Sequence, residues 1–218
     1  MKIVPEKQPL MMEAVMLLWC TVLILGSIDI TTRWIGVGLL WNLLLATVPL
    51  FWSAAFQNAI DGKRPIFASV CFGLWLLFLP NAPYILTDLI HLQTCPSVPL
   101  WYVLAVLLSC AGTGTLLGYH SLLNVQNAIE TTMGKTTGWV VAAGSLLLCG
   151  FGIYLGRFLR WNSWDALTKP LELAKTVAGQ FADPGPHPHP LGVTLVFGVG
   201  LLIGYLALRS LAVSSQKV

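Results

Sequence analysis

Residues 66–92 read IFASVCFGLWLLFLPNAPYILTDLIHL, and the fold is decided by where this stretch stops being apolar. Up to Leu79 it is an uncharged hydrophobic run of the kind that crosses a membrane. From Pro80 onward it places a carboxylate and an imidazole where hydrocarbon should be ending. Read as a helix, it sets Asn81, Tyr84, Asp88 and His91 at spacings of three, four and three. Those spacings put all four on one stripe, with Thr87 beside them, while Ile85, Leu89 and Leu92 line the neighbouring stripe. The apolar part covers only about 15 residues, short of the roughly 20 that a bilayer demands. The span therefore either ends early or continues through Pro80 with a break.

The rest of the chain has the same character. Of its 218 residues 56% are hydrophobic and 10% charged, and the mean hydropathy is +0.76. Soluble domains carry roughly 25% charged residues, so the class is an all-α, polytopic membrane bundle forming a single membrane domain. Apolar runs near 11–28, 34–56, 66–80, 98–118, 138–160 and 191–211 give about six spans. A short basic start precedes the first run, as in a signal peptide, but Glu13 opens it and no Ala-x-Ala site follows; a retained span is the better reading. Pro49 interrupts the second, which a membrane helix tolerates when neighbours satisfy the freed carbonyl. Gly-x-x-x-Gly recurs as Gly114/Gly118, Gly152/Gly156 and Gly200/Gly204, the spacing that lets helix backbones approach closely in lipid.

The longest connection, about 161–190, opens with Asn162-Ser163-Trp164-Asp165, a cap-like start with its acidic residue three positions on. An amphipathic segment from Leu171 to Phe181 is expected to lie on the membrane surface. The Pro184–Pro190 tract, with His187 and His189 between prolines, cannot be helical. The net charge of +3 is clustered nowhere, which argues against nucleic acid as a partner. The five cysteines show no Cys-x-x-Cys spacing and four sit in apolar runs, so neither a disulfide framework nor a zinc finger is legible.

Six spans place both termini and the second and fourth connections on one face, together with seven of the twelve basic residues. By the bias of cytoplasmic loops toward Lys and Arg, that face is expected inside and both termini cytoplasmic. The third connection has no Lys or Arg. Parity alone gathers the 80–92 stretch, Asp29, Arg33, the Arg157–Asp165 segment, His187 and His189 on the other rim. His120, past span four, falls on the opposite face.

Several chemistries compete at this rim. Asp88 and His91, three apart, can share a metal or act as acid and base, and His187 or His189 could complete a metal set. Against this stands an ion pair between Asp88 and an arginine, which is favoured because a carboxylate at a membrane rim needs a partner. Arg157 and Arg160, also three apart, can grip a phosphate or carboxylate, or snorkel and neutralise Asp88 and Asp165. Asn81, Tyr84, Thr87, Asn162, Trp164 and Asp165 complete the candidate binding residues. Asn42 and Glu13 have no readable partner. No continuous chain of ionisable residues crosses the bundle, and no hydrolase or metalloprotease motif is present.

Two segments carry a family resemblance. Pro80–Leu92 and Gly152–Asp165 resemble the two signatures of a bacterial membrane-protein family known as domain of unknown function 1361, and the likeness extends from about residue 35 to the sixth span. The resemblance implies a polytopic bacterial membrane protein and brings no activity with it. Two functional expectations remain. One is an accessory or structural subunit that docks other membrane proteins. The other is a membrane-rim enzyme acting on a lipid or lipid-linked anionic substrate, with a transporter a weaker third. Whether a metal or other cofactor takes part is not legible. Asp88 or His91 is expected to touch Arg157 or Arg160; a closed contact there favours the first reading, and an open pocket with the arginines on its wall favours the enzyme.

Overall fold

A computed structural model of the chain describes residues 7–26, 33–93, 98–182 and 189–214, with the side chains of some helix-end residues, His91 among them, outside the description. The described residues are helical throughout, with short turns between. In order the elements are α1 (Lys7–Gly26), α2 (Arg33–Asp61), α3 (Pro65–Phe78), α4 (Asn81–Tyr84), a 3₁₀ helix (Ile85–Gln93), α5 (Leu100–Met133), α6 (Lys135–Arg157), α7 (Asp165–Thr168), α8 (Pro170–Ala182) and α9 (Pro190–Ser214).

Five stretches are long and apolar enough to cross a membrane: Gly36–Asp61, Pro65–Ile90, Leu100–Met133, Lys135–Arg157 and Pro190–Leu211. The apolar part of α1, Leu10–Gly26, is shorter, yet it runs antiparallel along much of α5. Glu13 meets His120, Cys20 meets Thr113 at 3.2 Å, and the Tyr102 hydroxyl donates to the Leu23 carbonyl at 2.9 Å. Tyr102 to His120 covers roughly 27 Å of helix, close to the thickness of a hydrocarbon core. The pairing of Glu13 with His120 also supplies the partner that the sequence left unread for Glu13.

Helix α5 is the axis of the bundle, packed against α1, α2, α4, the 3₁₀ helix and α6, while α9 lies along α6 and α3 along α2. The fourth span was expected to end near residue 118 but continues to Met133. At roughly 50 Å it exceeds the bilayer core. Its extension is amphipathic: Leu122, Val125, Ala128 and Ile129 are buried at helical spacing against α2, α3 and α6. Hydropathy falls there, so a window that looks for uniform apolarity stops before the helix does. Polar clamps tie the far end together. The Tyr205 hydroxyl donates to Gln126 Oε1 at 2.6 Å, Gln126 donates on to Glu130 at 2.7 Å, and the Arg209 guanidinium lies 5.0 Å over the Trp139 ring.

The third span does not end at Pro80. Leu79 and Pro80 keep right-handed helical dihedrals, so the chain turns without unwinding and passes into α4. Beyond Tyr84 it tightens into nine residues of 3₁₀ helix, long for that conformation. The Thr87 hydroxyl donates to the Tyr84 carbonyl at 2.7 Å, a local bond that competes with the α-helical ladder. This winding breaks the expected stripe. With three residues per turn Asp88 stacks on Ile85 and turns away from Tyr84. Asp88 and Ile85 are accordingly buried, whereas Asn81 and Tyr84 stay half-buried.

Candidate functional site

The glycine pairs explain why α4 sits where it does. A methyl group on Gly114 would strike the Ala82 carbonyl oxygen, and one on Gly118 would lie 3.0 Å from the Ala82 side chain. On the other side, a methyl on Gly152 would overlap the Pro80 ring and one on Gly156 would come within 3.0 Å of the Tyr84 ring. The four-residue helix α4 is thus a wedge seated between two glycine-lined grooves, one on α5 and one on α6. At Gly114 the approach is backbone to backbone and leaves no room for a Cβ. The third pair behaves differently. Gly204 faces the Tyr119 hydroxyl, Gly200 faces open space, and the close crossing of α6 with α9 runs instead through Gly150 and Gly198.

Seating the wedge brings the two signature segments together. Arg157 Nη1 donates to Asp88 Oδ1 at 3.2 Å, and Asn42 Nδ2 donates to Asp88 Oδ2 at 2.9 Å. Asp88 is buried and its carboxylate has both oxygens engaged, so it is a fixed anchor between α2, the 3₁₀ helix and α6. A buried charge demands such company, because desolvation costs several kcal/mol unless a counter-charge and hydrogen bonds offset it. Asn81 Nδ2 donates to Ser163 Oγ at 3.0 Å and to the Phe78 carbonyl at 3.1 Å, pinning the post-α6 loop onto the wedge.

That loop is shaped by one unusual residue. Arg160 has φ +56°, the left-handed region that ordinarily favours glycine at a helix C-terminus. The Trp161 N–H returns to the Leu155 carbonyl at 3.0 Å and closes the helix end. The left-handed conformation costs an ordinary residue about 1–2 kcal/mol. The cap expected from Asn162 and Asp165 forms as a closed turn before α7, whose own N-cap, Trp164, has no side-chain cap bond. The Asp165 carboxylate accepts from the Asn162 backbone N–H at 2.8 Å and from Asn162 Nδ2 at 3.2 Å, while the Asp165 N–H donates to the Asn162 carbonyl at 3.0 Å.

Between α3 and α6, beneath this loop, lies a cavity of about 870 Å³. Its upper wall carries Asn81, Tyr84, Arg157, Arg160, Trp161, Asn162, Ser163 and Trp164, with Asn42 and Trp41 from α2. Its lower wall is apolar, formed by Gly73, Leu76, Leu77, Leu148, Phe151 and Leu155, with Leu173 of α8 at its edge. Gly73 lies roughly 10 Å below Pro80 and Leu148 roughly 13 Å below Arg157 along their helices. The space is a polar mouth opening into a greasy trough. Among the described residues Arg157 and Arg160 are the only charged ones on its wall, and Arg160 has no ion-pair partner among them.

Six of the sequence candidates therefore meet at this mouth: Asn81, Tyr84, Arg157, Arg160, Asn162 and Trp164. Asp88 and Thr87 lie behind the wall, and Asp165 braces Asn162. The metal set does not assemble among the described residues, where no three His, Cys, Asp or Glu side chains stand together. The His91 side chain and His187 lie outside the description, as do Asp29 and the Arg33 side chain. His189 is exposed, its Nδ1 accepting the Leu191 N–H at 3.3 Å and its ring set edge-on to Phe181. Asn42, Trp41 and Ser163 were missed as site residues. For Asn42 a signal existed, since a lone amide in an apolar run has to face another helix.

The fold and its rim site define a polytopic all-α membrane protein with a two-signature interfacial cavity. The model of a family described as "Protein of unknown function (DUF1361)" matches residues 41–203, and the chain belongs to that family. No curated protein and no solved structure matches it.

Proposed function

We propose that the protein holds an amphipathic anionic molecule, a lipid or lipid-linked compound, with its head at Arg157 and Arg160 and its chain in the trough between α3 and α6. The observation that carries this reading is the cavity's polarity gradient, with two guanidiniums at one end and an unbroken apolar wall below. Arginine suits a phosphate or carboxylate at a membrane rim because its planar fork gives paired, charge-assisted hydrogen bonds. Ligand sites of this size, mostly apolar with a few convergent polar groups, are the usual binding sites of proteins. Retention rather than turnover is the better description. Both Asp88 oxygens are engaged, and the hydroxyls on the wall belong to Tyr84 and to Ser163, which already accepts from Asn81.

The basic residues of the α2–α3 and α5–α6 turns and of the α9 end favour an orientation with both termini in the cytoplasm and the arginine rim outside, in the bacterial plasma membrane that the family resemblance implies. Reporter fusions in the 134–135 turn test the orientation and should read cytoplasmic. Mass spectrometry of lipid extracted from protein purified in mild detergent tests the binding. An anionic lipid should be enriched over its share of the membrane, and Arg160→Asn should abolish the enrichment. A lipid profile identical to that of the surrounding membrane would overturn the reading.

A further inference from the structure

If the trough takes a lipid chain, as just proposed, the exposure of its wall decides where that chain goes. Leu76, Leu77, Phe151 and Leu155 line it from either side and are half-buried, so they form its inner wall. Gly73 and Leu148 also line it, but Gly73 is exposed and Leu148 is 52% exposed. They form a lip at which the trough stops being a pocket. A Cβ on Gly73 would meet nothing within 4 Å.

Helix α8 shows how deep this lip lies. One of its faces, Leu173, Thr176, Val177 and Gln180, is half-buried at helical spacing, while Glu172 and Lys175 are exposed. Leu173 borders the cavity, Gln180 Oε1 accepts from the Tyr154 hydroxyl at 3.1 Å, and Phe181 packs on Phe151 with ring centroids 6.4 Å apart. Both ends of α8 therefore lie against the last turns of α6, and an amphipathic helix of this kind sits at headgroup level. Pro80 is seated on Gly152 in those same turns, and Gly73 lies roughly 10 Å further down α3. At that depth the lip faces acyl chains.

We infer that the trough is a side-opening slot. It holds only the head-proximal part of a chain, and the remainder leaves between Gly73 and Leu148 into the surrounding bilayer. A depth of roughly 10–13 Å along α3 and α6 falls short of the ~15 Å that one leaflet's chains occupy, so the tip of an ordinary chain has no room inside. The slot accepts lipids however far their chains run beyond it. A lipid enters sideways from the leaflet in which α8 lies, without passing through water.

The test is photo-crosslinking of the full chain in nanodiscs. Phosphatidylglycerol carries one diazirine at the head end, the middle or the tip of a chain, and adducts are mapped by peptide mass spectrometry. Phosphatidylcholine with the same labels gives the background of bulk lipid. Head-end and middle labels on phosphatidylglycerol should mark Leu76, Leu77, Phe151 or Leu155 roughly tenfold above that background, the order that one charge-assisted hydrogen bond supplies. The tip label should fall to background at those residues. A tip label as strong on the inner wall as the head-end label would mean a closed pocket, overturning the side-opening slot while leaving the lipid-holding reading intact. No excess over background at any label position would overturn both.

Discussion

Asp88 shows what a membrane rim does to a single side chain. Its carboxylate lies out of water between Arg157 and Asn42, so removing either member of the ion pair takes a charge-assisted bond from the other in a buried setting. Asp88→Ala should therefore destabilise the protein by about 3–5 kcal/mol, read as a lowered melting temperature in detergent. The double variant Asp88→Ala/Arg157→Leu should lose clearly less than the two single losses summed, because it strands neither charge. Additive losses would mean that the pair is not coupled. The meeting of Asp88 with Arg157 was legible in the sequence. Charges at a bilayer edge are few, span parity put these two on one face, and each needs the other. Asn42 was not legible as the third member, because one amide in an apolar run says that it has a partner without saying which. Glu13 and His120 fall on the same face by parity, yet nothing in the spacing singles them out for each other.

At the scale of elements, the wedge of α4 between α5 and α6 organises the rim. The Gly-x-x-x-Gly spacings on those two helices announced a close approach, and the approach is there. What they could not announce is that the visitor is a four-residue turn with a proline ring in place of a neighbouring span, since the motif reads only the shape of the groove. Gly152→Ala, whose methyl would overlap Pro80, should cost about 1–3 kcal/mol. Gly144→Ala, on the same helix but facing open space, should leave stability unchanged or raise it by up to ~1 kcal/mol. Thermal unfolding of the two variants side by side checks this, and equal effects would mean that the groove is not tightly filled. The 3₁₀ winding after Tyr84 was hidden from the sequence for a related reason. A stripe of polar residues at α-helical spacing presupposes 3.6 residues per turn, and Pro80, Pro83 and the Thr87 hydroxyl shift that local balance.

The whole molecule is a bundle of apolar helices around α5 with a large cavity that opens between α3 and α6. The helices were legible because hydropathy and length report directly on the cost of burying backbone and charge in lipid. The cavity was not, because it is a gap between elements and leaves no periodic mark in either. Gly73 offers a way to fill it from within. It lines the trough, and a Cβ added there meets nothing within 4 Å. The most direct test of the central claim is the amount of lipid that co-purifies with Gly73→Trp compared with wild type, weighed by native mass spectrometry at matched melting temperature. A ligand seated in the trough predicts a bound anionic lipid on wild type and none on Gly73→Trp. Equal lipid on both proteins would contradict it.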